Sequence, residues 1–302
     1  MLAVMFAVAT IVFVIVRLVP GDPAAVMLGP DARPAEIAAL RSRLGLDASI
    51  PAQYVKFLFD IVRGDLGQSI FLGRPVLQAI AERAEPTICL TAMAIVIAVV
   101  IGVPAGVVSA VSRGSLFDQA LLTCAMLAAS LPGFWLALML IRRFAVELHW
   151  FPVSGYGPPG AGFLERMQFL MLPAIVLGLN SSSLVTRFTR ASMLDVLGDD
   201  FVRTARAKGL RERVVVLKHA LSNAAIPVLT VVGLTLALLL GGAAVTETVF
   251  ALPGVGSLVV SAVLRRDYPV IQGALLVVAG VYVLVNLAVD FLCMIVDPRQ
   301  RR

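Results

Sequence analysis

The sequence predicts an all-α, polytopic membrane protein with six transmembrane helices, and three observations carry that prediction. The 302 residues are 59% hydrophobic and only 15% charged, with a mean hydropathy of +0.94, outside the range of soluble domains. The apolar residues fall in runs near or above the ~20 needed to cross a bilayer as helix. Most of the charged residues fall between those runs, above all in the block Asp195–Pro227. Together these leave no room for a soluble core or a sheet.

The expected spans are about Leu2–Val19, Thr87–Val111, Phe117–Phe144, Phe169–Phe188, Pro227–Phe250 and Val270–Val296. Gly102, Pro104, Gly106, Pro132, Gly178, Gly241 and Gly242 lie inside them. In a membrane such residues mark kinks and close helix contacts. The first span is followed by PGDP rather than a small-x-small cleavage site, so it reads as a retained span and not a signal peptide. It has no basic residue before it, which would fit a start further upstream.

This gives a three-part organisation: residues 1–19 as a first transmembrane helix, 20–86 as an external helical segment, and 87–302 as the main transmembrane domain. Within the external segment, Pro34–Leu44 after Asp31 is a helix pattern stopped by Gly45. Pro51–Val62 places Tyr54, Phe57, Leu58 and Ile61 on one face. Pro75–Ala84 is a third short helix leading into span two.

Orientation follows from the basic residues. Arg187, Arg190, Arg203, Arg206, Lys208, Arg211, Arg213 and Lys218 stand against Asp195, Asp199, Asp200 and Glu212, a net +4 between spans four and five. The tail carries Arg299, Arg301 and Arg302. The positive-inside rule puts both regions, and both termini, in the cytoplasm. The external segment then carries net −1, and Arg113 lies on the cytoplasmic side. Arg142 and Arg143 oppose this topology; snorkelling to the headgroups is the expectation, and lining a polar pathway the alternative.

The loop at about 189–226 is more than a charge marker. Asp199 or Asp200 is placed to N-cap a helix, and Gly209 to end it. Two to three turns are marginal in water, so such a helix must be held by other contacts. Phe201, Val202 and Ala205 share one face; Arg203 and Arg206 share another, suited to acidic partners. A second helix, Arg213–Ala225, carries Val214, Val215, Leu217 and Leu221 back to the membrane.

This order of residues resembles the coupling loop of ABC importer permeases, in which an EAA-type motif forms a coupling helix. FVRTARAKGL followed by KHALSNAAIPVLT is similar to the peptide-type branch, the inner-membrane permeases of dipeptide, oligopeptide, glutathione and nickel importers. RLVPGDPA (Arg17–Ala24), RGDLGQSI (Arg63–Ile70), FPVSGYG (Phe151–Gly157), TETVFALPGVGSL (Thr246–Leu258), RDYPVIQG (Arg266–Gly273) and VDPR (Val296–Arg299) look like landmarks of that branch in order. Arg203-Thr204-Ala205 stands where the general motif has Glu-Ala-Ala, and Gly209 to Pro227 exceeds its usual spacing.

The resemblance implies the type I ABC importer permease architecture in a bacterial inner membrane. It implies a second homologous permease, two cytoplasmic ATPase subunits and a periplasmic substrate-binding protein as partners, with ATP used by the ATPases and no cofactor bound by this chain. It assigns coupling to Asp200, Phe201, Arg203, Thr204, Ala205, Arg206, Ala207, Lys208 and Gly209, with Phe201 and Ala205 docking. The cargo it implies is peptide, with glutathione or nickel as alternatives.

Other constellations weigh against catalysis. GPPGAG (Gly157–Gly162) and LPGVGSL lack the GK[ST] ending of a phosphate-binding loop. His149 and His219 fall on opposite sides, so no His-based metal or catalytic pair is expected. Cys89, Cys124 and Cys293 are dispersed and read as buried small hydrophobes. Asn180 and Ser181, with Ser182 and Ser183, form a polar cluster in span four that would line a pathway or glue helices. Glu247 and Asp290 are the intramembrane acids, open to a gating role. The plainer reading puts Glu247 at the outer interface and bonds Asp290 across a helix contact, with Asn286 as partner. An ion-coupled secondary transporter is the rival class, but it wants a chain of buried ionisable groups and an inverted repeat. An intramembrane protease wants Ser/His, paired Asp or HExxH at membrane depth. The loop's charge rules out neither membrane alternative; nucleic acid is not needed to explain it.

Overall fold

Every regular element in the computed structural model is a helix; residues 2–18, 23–29, 32–43 and 45–296 are described. Asp31 and Leu44, the VPGD part of RLVPGDPA, and the tail from Asp297 through Arg299, Arg301 and Arg302 lie outside those residues. In order the helices are α1 Leu2–Leu18, α2 Pro23–Leu28, α3 Pro34–Arg43, α4 Ile50–Val62, α5 Val76–Val111, α6 Leu116–Ser130 and α7 Gly133–Leu140, the last continued by a π-helical stretch, Ile141–Glu147. Then come α8 Phe163–Leu197, α9 Asp200–Ala207, α10 Glu212–Val214 with a π-helical stretch Val215–Ala220, α11 Leu221–Gly242, α12 Ala244–Val249, α13 Val255–Arg265 and α14 Tyr268–Val296. The chain forms two compact units, residues 1–85 with 253–283, and 86–252 with 284–302.

Among the described residues four helical stretches are long and apolar enough to cross a membrane: α5, α8, the run Glu212–Gly242 and α14. The third expected span is instead a pair, α6 and α7, bent by 96°. Pro132 removes one donor at the bend, and its ring keeps the preceding Leu131 in extended backbone (φ −72°, ψ 126°), which ends α6. The first span is a 17-residue helix, shorter than the other four. The fifth begins at Glu212, not Pro227: Pro227 sits inside α11, its lost hydrogen bond tolerated within a packed bundle. Pro75–Ala84 is likewise no separate helix, because α5 runs unbroken through Pro86 and Pro104.

In the first unit α1 packs on α4 through aromatics. Phe13 lies 5.0 Å from the Tyr54 ring and 5.3 Å from Phe57, so the face read from the α4 periodicity is the one that packs. The Thr10 and Tyr54 hydroxyls share a 2.6 Å hydrogen bond, and Arg17 donates to Gln53 Oε1 at 2.6 Å. Two landmarks separated by some 200 residues meet here. The Ser69 hydroxyl donates to the buried Asp267 carboxylate, and a Cβ on Gly273 would lie 2.6 Å from Val76 and 3.3 Å from Leu66.

The second unit is organised by α8. Its apolar core joins Leu90 and Ala94 of α5, Ala137 of α7, Leu170, Leu172 and Val176 of α8, and Phe250 and Leu252 after α12. The expected close contacts are between α5 and α8. A Cβ on Gly102 would lie 2.7 Å from Val185, one on Gly106 2.6 Å from Thr189, and one on Gly178 2.6 Å from Ile97. Gly102 and Gly106 are one helical turn apart, the small-xxx-small spacing that lets backbones approach where the hydrophobic effect cannot draw helices together. Of the cysteines, Cys293 is buried and Cys89 partly so, but Cys124 is exposed on α6, contrary to its reading as a core residue.

Candidate functional site

The sequence places its motif on a helix too short to stand alone, and the structure shows what holds it. Helix α9 is seated by Val202 and Ala205, both buried, against Val215 of the π-helical stretch and Val196 and Leu197 at the end of α8. Asp199 occupies the N-cap position, but its side chain makes no capping bond. The C-terminus is the stronger stop. Gly209 N–H donates to Arg206 O at 2.9 Å and Leu210 N–H to Ala205 O at 3.4 Å, a Schellman pair. Gly209 has φ +75°, a conformation glycine adopts without the Cβ clash.

Burial sorts the motif into a seat and a presented face. Phe201 is 41% exposed, a large apolar side chain left uncovered by the chain itself. Asp200, Arg203, Thr204, Arg206, Ala207, Lys208 and Gly209 are exposed beside it. Ala205, expected among the docking residues, points inward at 7% exposure. The face of Val202 and Ala205 belongs to the chain's own core because Val215 and Leu197 cover it; Phe201, next to it in the helix, is left out.

The charges on this surface are partly paired. Arg206 makes a two-point bridge to Glu212, Nη2 to Oε1 at 2.7 Å and Nε to Oε2 at 3.2 Å. That carboxylate holds the Arg206 proton even more tightly than usual, so the bridge ties the end of α9 to the start of α10. Arg203 lies 3.6 Å from Asp200, a looser and fully exposed pair. Thr204 donates its hydroxyl to Asp200 O at 2.9 Å. A small cleft lies behind this bridge, lined by Ala110, Arg113, Leu194, Arg206 and Glu212.

The seat continues inward. Met193 of α8, fully buried, packs with Val107 and Ala110 of α5, Val216 and Ala220 of the π-helical stretch, and Ala224 of α11. Next to it is a group the sequence reading missed. Asp118, 3% exposed, takes hydrogen bonds from Arg190 Nε (2.9 Å) and Nη2 (2.8 Å), from Gly114 N–H (2.9 Å) and from the Ser109 hydroxyl. Arg190 had counted only as loop charge. The available signal was Asp118 itself, a carboxylate just inside a predicted span and three residues after a Ser cap at Ser115.

The expected pathway residues do not come together as one site. Ser182 and Ser183 are buried and donate to the carbonyls of Leu179 and Asn180 within α8, which makes them helix-internal. Ser181 is partly buried. Asn180 lies against the bend between α6 and α7: its Nδ2 is 3.2 Å from where a Gly133 Cβ would be, and its Oδ1 is buried with no hydrogen-bond partner among the described residues. Glu247 is fully buried on α12 and accepts from the Thr87 hydroxyl of α5 at 2.6 Å. Asp290 is exposed on α14 and, among the described residues, makes no bond to Asn286. Arg142 and Arg143 both pair with Glu147, at 3.2 and 2.7 Å. No group of three or more His, Cys, Asp or Glu among the described residues is placed to hold a metal.

Long apolar helices, one pair of them sharply bent, with a short seated helix between two of the spans in chain order, fit the membrane subunit of a transporter. Comparison with known proteins agrees. Residues 102–302 match the family described as "Binding-protein-dependent transport system inner membrane component", and residues 1–91 match its N-terminal companion. The chain belongs to this family of inner-membrane permeases. It is 43% identical to a Sinorhizobium fredii protein named "Probable peptide ABC transporter permease protein", covering 99% of this chain and 96% of that one. It is 42% identical to the dipeptide transport system permease protein of Alkalihalophilus pseudofirmus (99% and 96%) and 43% identical to the glutathione transport system permease protein of Escherichia coli (98% and 94%). Among solved structures, a chain of the MetNI methionine ABC transporter in an inward-facing form superposes with a TM-score of 0.60 at 19% identity, over 73% of this chain and 97% of that one; this shows the fold.

Proposed function

We propose that this chain forms part of the translocation pathway of an importer for di- and oligopeptides, and that α9 is its coupling helix. The observation that carries the second half is the division of α9: Val202 and Ala205 fix it rigidly to α8 and the π-helical stretch, while Phe201 and the polar residues around it remain uncovered. A two-turn helix held this way is a docking element joined stiffly to two membrane helices. The peptide cargo is supported by the names of the relatives at 42–43% identity. Glutathione, itself a tripeptide and the cargo in the name of the Escherichia coli relative, is the second reading.

In this reading the chain pairs with a second homologous permease, receives cargo from a periplasmic binding protein, and docks α9 on one of two cytoplasmic ATPase subunits. Both termini and α9 lie in the cytoplasm, residues 20–86 outside. ATP is bound and hydrolysed by the ATPase subunits; this chain carries no catalysis and binds no cofactor. Phe201 is the apolar anchor and Arg203 and Lys208 are the polar contacts, with Gly209 fixing the turn.

The test is uptake of labelled dialanine, glutathione and Ni²⁺ by cells lacking the native gene and supplied with wild type or Gly209→Val. Wild type should take up dialanine, and the other probes should compete weakly. Gly209→Val, forced into a left-handed conformation that a β-branched residue resists, should lose uptake while the subunit remains in the membrane. Full uptake by Gly209→Val would remove α9 from the mechanism.

A further inference from the structure

We propose that Asp118 and Arg190 are positioning residues that make the α5–α6 turn move as one body with the coupling helix, and so carry its displacement to the broken span α6–α7. The inference rests on the assignment of α9 above.

The geometry is that of a clasp. Asp118 is drawn on from three elements at once: Ser109 near the end of α5, Gly114 in the turn, and Arg190 on α8, 72 residues away. All of its acceptor capacity on the buried side is used, and the Arg190 contact is the two-point, planar kind that fixes orientation as well as distance. Beside it the helices cannot slide. A Cβ on Gly106 would meet the Thr186 carbonyl at 2.7 Å and the Arg190 amide nitrogen at 3.0 Å, so the backbones of α5 and α8 are already in contact. From Arg190 to the end of α8 at Leu197 is seven residues, about 10 Å at 1.5 Å per helical residue, and the intervening Met193 and Leu197 are part of the packed seat.

A buried ion pair is a poor means of adding stability, since packed apolar groups do as well without the desolvation cost. What it adds is a single allowed register. Here the register is between the α8 segment that carries α9 and the start of α6. At its other end α6 leads into the 96° bend, where Asn180 of the same α8 lies against Gly133. Helix α8 therefore meets the broken pair twice, at the start of α6 through Arg190 and at the start of α7 through Asn180. Discontinuous helices are the elements that line transporter pathways, and this one is gripped at its start by the helix that bears the docking element.

The test uses the whole transporter, copurified with its partner permease and ATPase subunits, reconstituted into proteoliposomes and supplied with its substrate-binding protein. The probe is whichever of labelled dialanine, glutathione and Ni²⁺ the wild type accumulates. Three quantities are read: ATPase subunit retained per permease, uptake per assembled complex, and ATP turnover per assembled complex. Asp118→Ala and Arg190→Ala should retain the ATPase within about twofold, lose uptake at least about tenfold, and lose much less of their ATP turnover, in keeping with removal of a charge-assisted bond. A purely structural pair would lower the yield of complex and leave uptake per complex intact; that result overturns the proposal. Should either alanine variant fail to assemble, Asp118→Asn, which keeps shape, and Arg190→Lys, which keeps charge but not the planar two-point contact, are read the same way. A fall of at least about fivefold in uptake per complex supports the clasp and an unchanged value rejects it. Phe201→Asp separates the two readings. If it keeps both ATPase and uptake, the docking assignment fails; if it loses the ATPase while the Asp118 and Arg190 variants transport normally, only the clasp fails.

Discussion

Replacing Gly106 by alanine should destabilise the protein although alanine is the better helix former. The new methyl would lie 2.6 Å from Thr189 Cβ, 2.7 Å from Thr186 O and 3.0 Å from Arg190 N. Unstrained carbon–carbon contacts sit at about 3.5–4.0 Å, so α5 and α8 must part by roughly 1 Å. Two of the three opposing atoms are backbone and cannot swing aside. Overpacking of this kind costs about 1–3 kcal/mol. Gly241, also helical, offers the control, since nothing lies within 4 Å of its added Cβ. Alanine there should gain about 0.5–1 kcal/mol from helix propensity alone. That gain is common to both variants, so the difference between them isolates the steric cost. At roughly 2–4 °C per kcal/mol for a chain of this size, Gly106→Ala should unfold about 2 to 12 °C below Gly241→Ala. Thermal unfolding of the detergent-purified permease, followed by loss of the monodisperse peak, measures it. A midpoint for Gly106→Ala equal to or above that of Gly241→Ala would refute the close seam between α5 and α8.

Three further outcomes follow from the same contacts. Ala205→Glu puts a charge into the seat against Val215, so it should release α9 and increase its proteolysis; Phe201→Ser, on the uncovered face, should leave protease resistance unchanged and abolish retention of the ATPase subunits. Glu247→Ala strips the buried Thr87 hydroxyl of an acceptor and should cost about 1–3 kcal/mol, seen as a lower unfolding midpoint than that of Glu247→Gln, which keeps an acceptor in place. Arg206→Ala removes an exposed bridge, for which about 0–1 kcal/mol is typical, so its unfolding midpoint should barely move; a large drop would mean the bridge, rather than the Val202–Ala205 seat, holds α9.

Much of this was readable from the chain. The periodicity of Tyr54, Phe57, Leu58 and Ile61 gave the packing face of α4, and Gly209 gave the end of α9, because each depends on residues within a turn or two. The failures share one cause. Ala205 and Phe201 look equivalent in a helical repeat, and only Val215 and Leu197 folding back over one of them decides which is presented. That Glu247 is fully buried shows only once α5 brings Thr87 to it. Asp118 drew no attention because its partner stands 72 residues away.

By itself the sequence determined the membrane class, the location of the polar loop and the kinship of the chain, since hydropathy, charge and motif order are properties of the linear chain. Tertiary structure decided which face of α9 is free, where the third span breaks, and that Arg190 is a clasp rather than a surplus charge. Those outcomes depend on which atoms meet across helices, and close approach is permitted or forbidden by single groups such as the absent Cβ of Gly106.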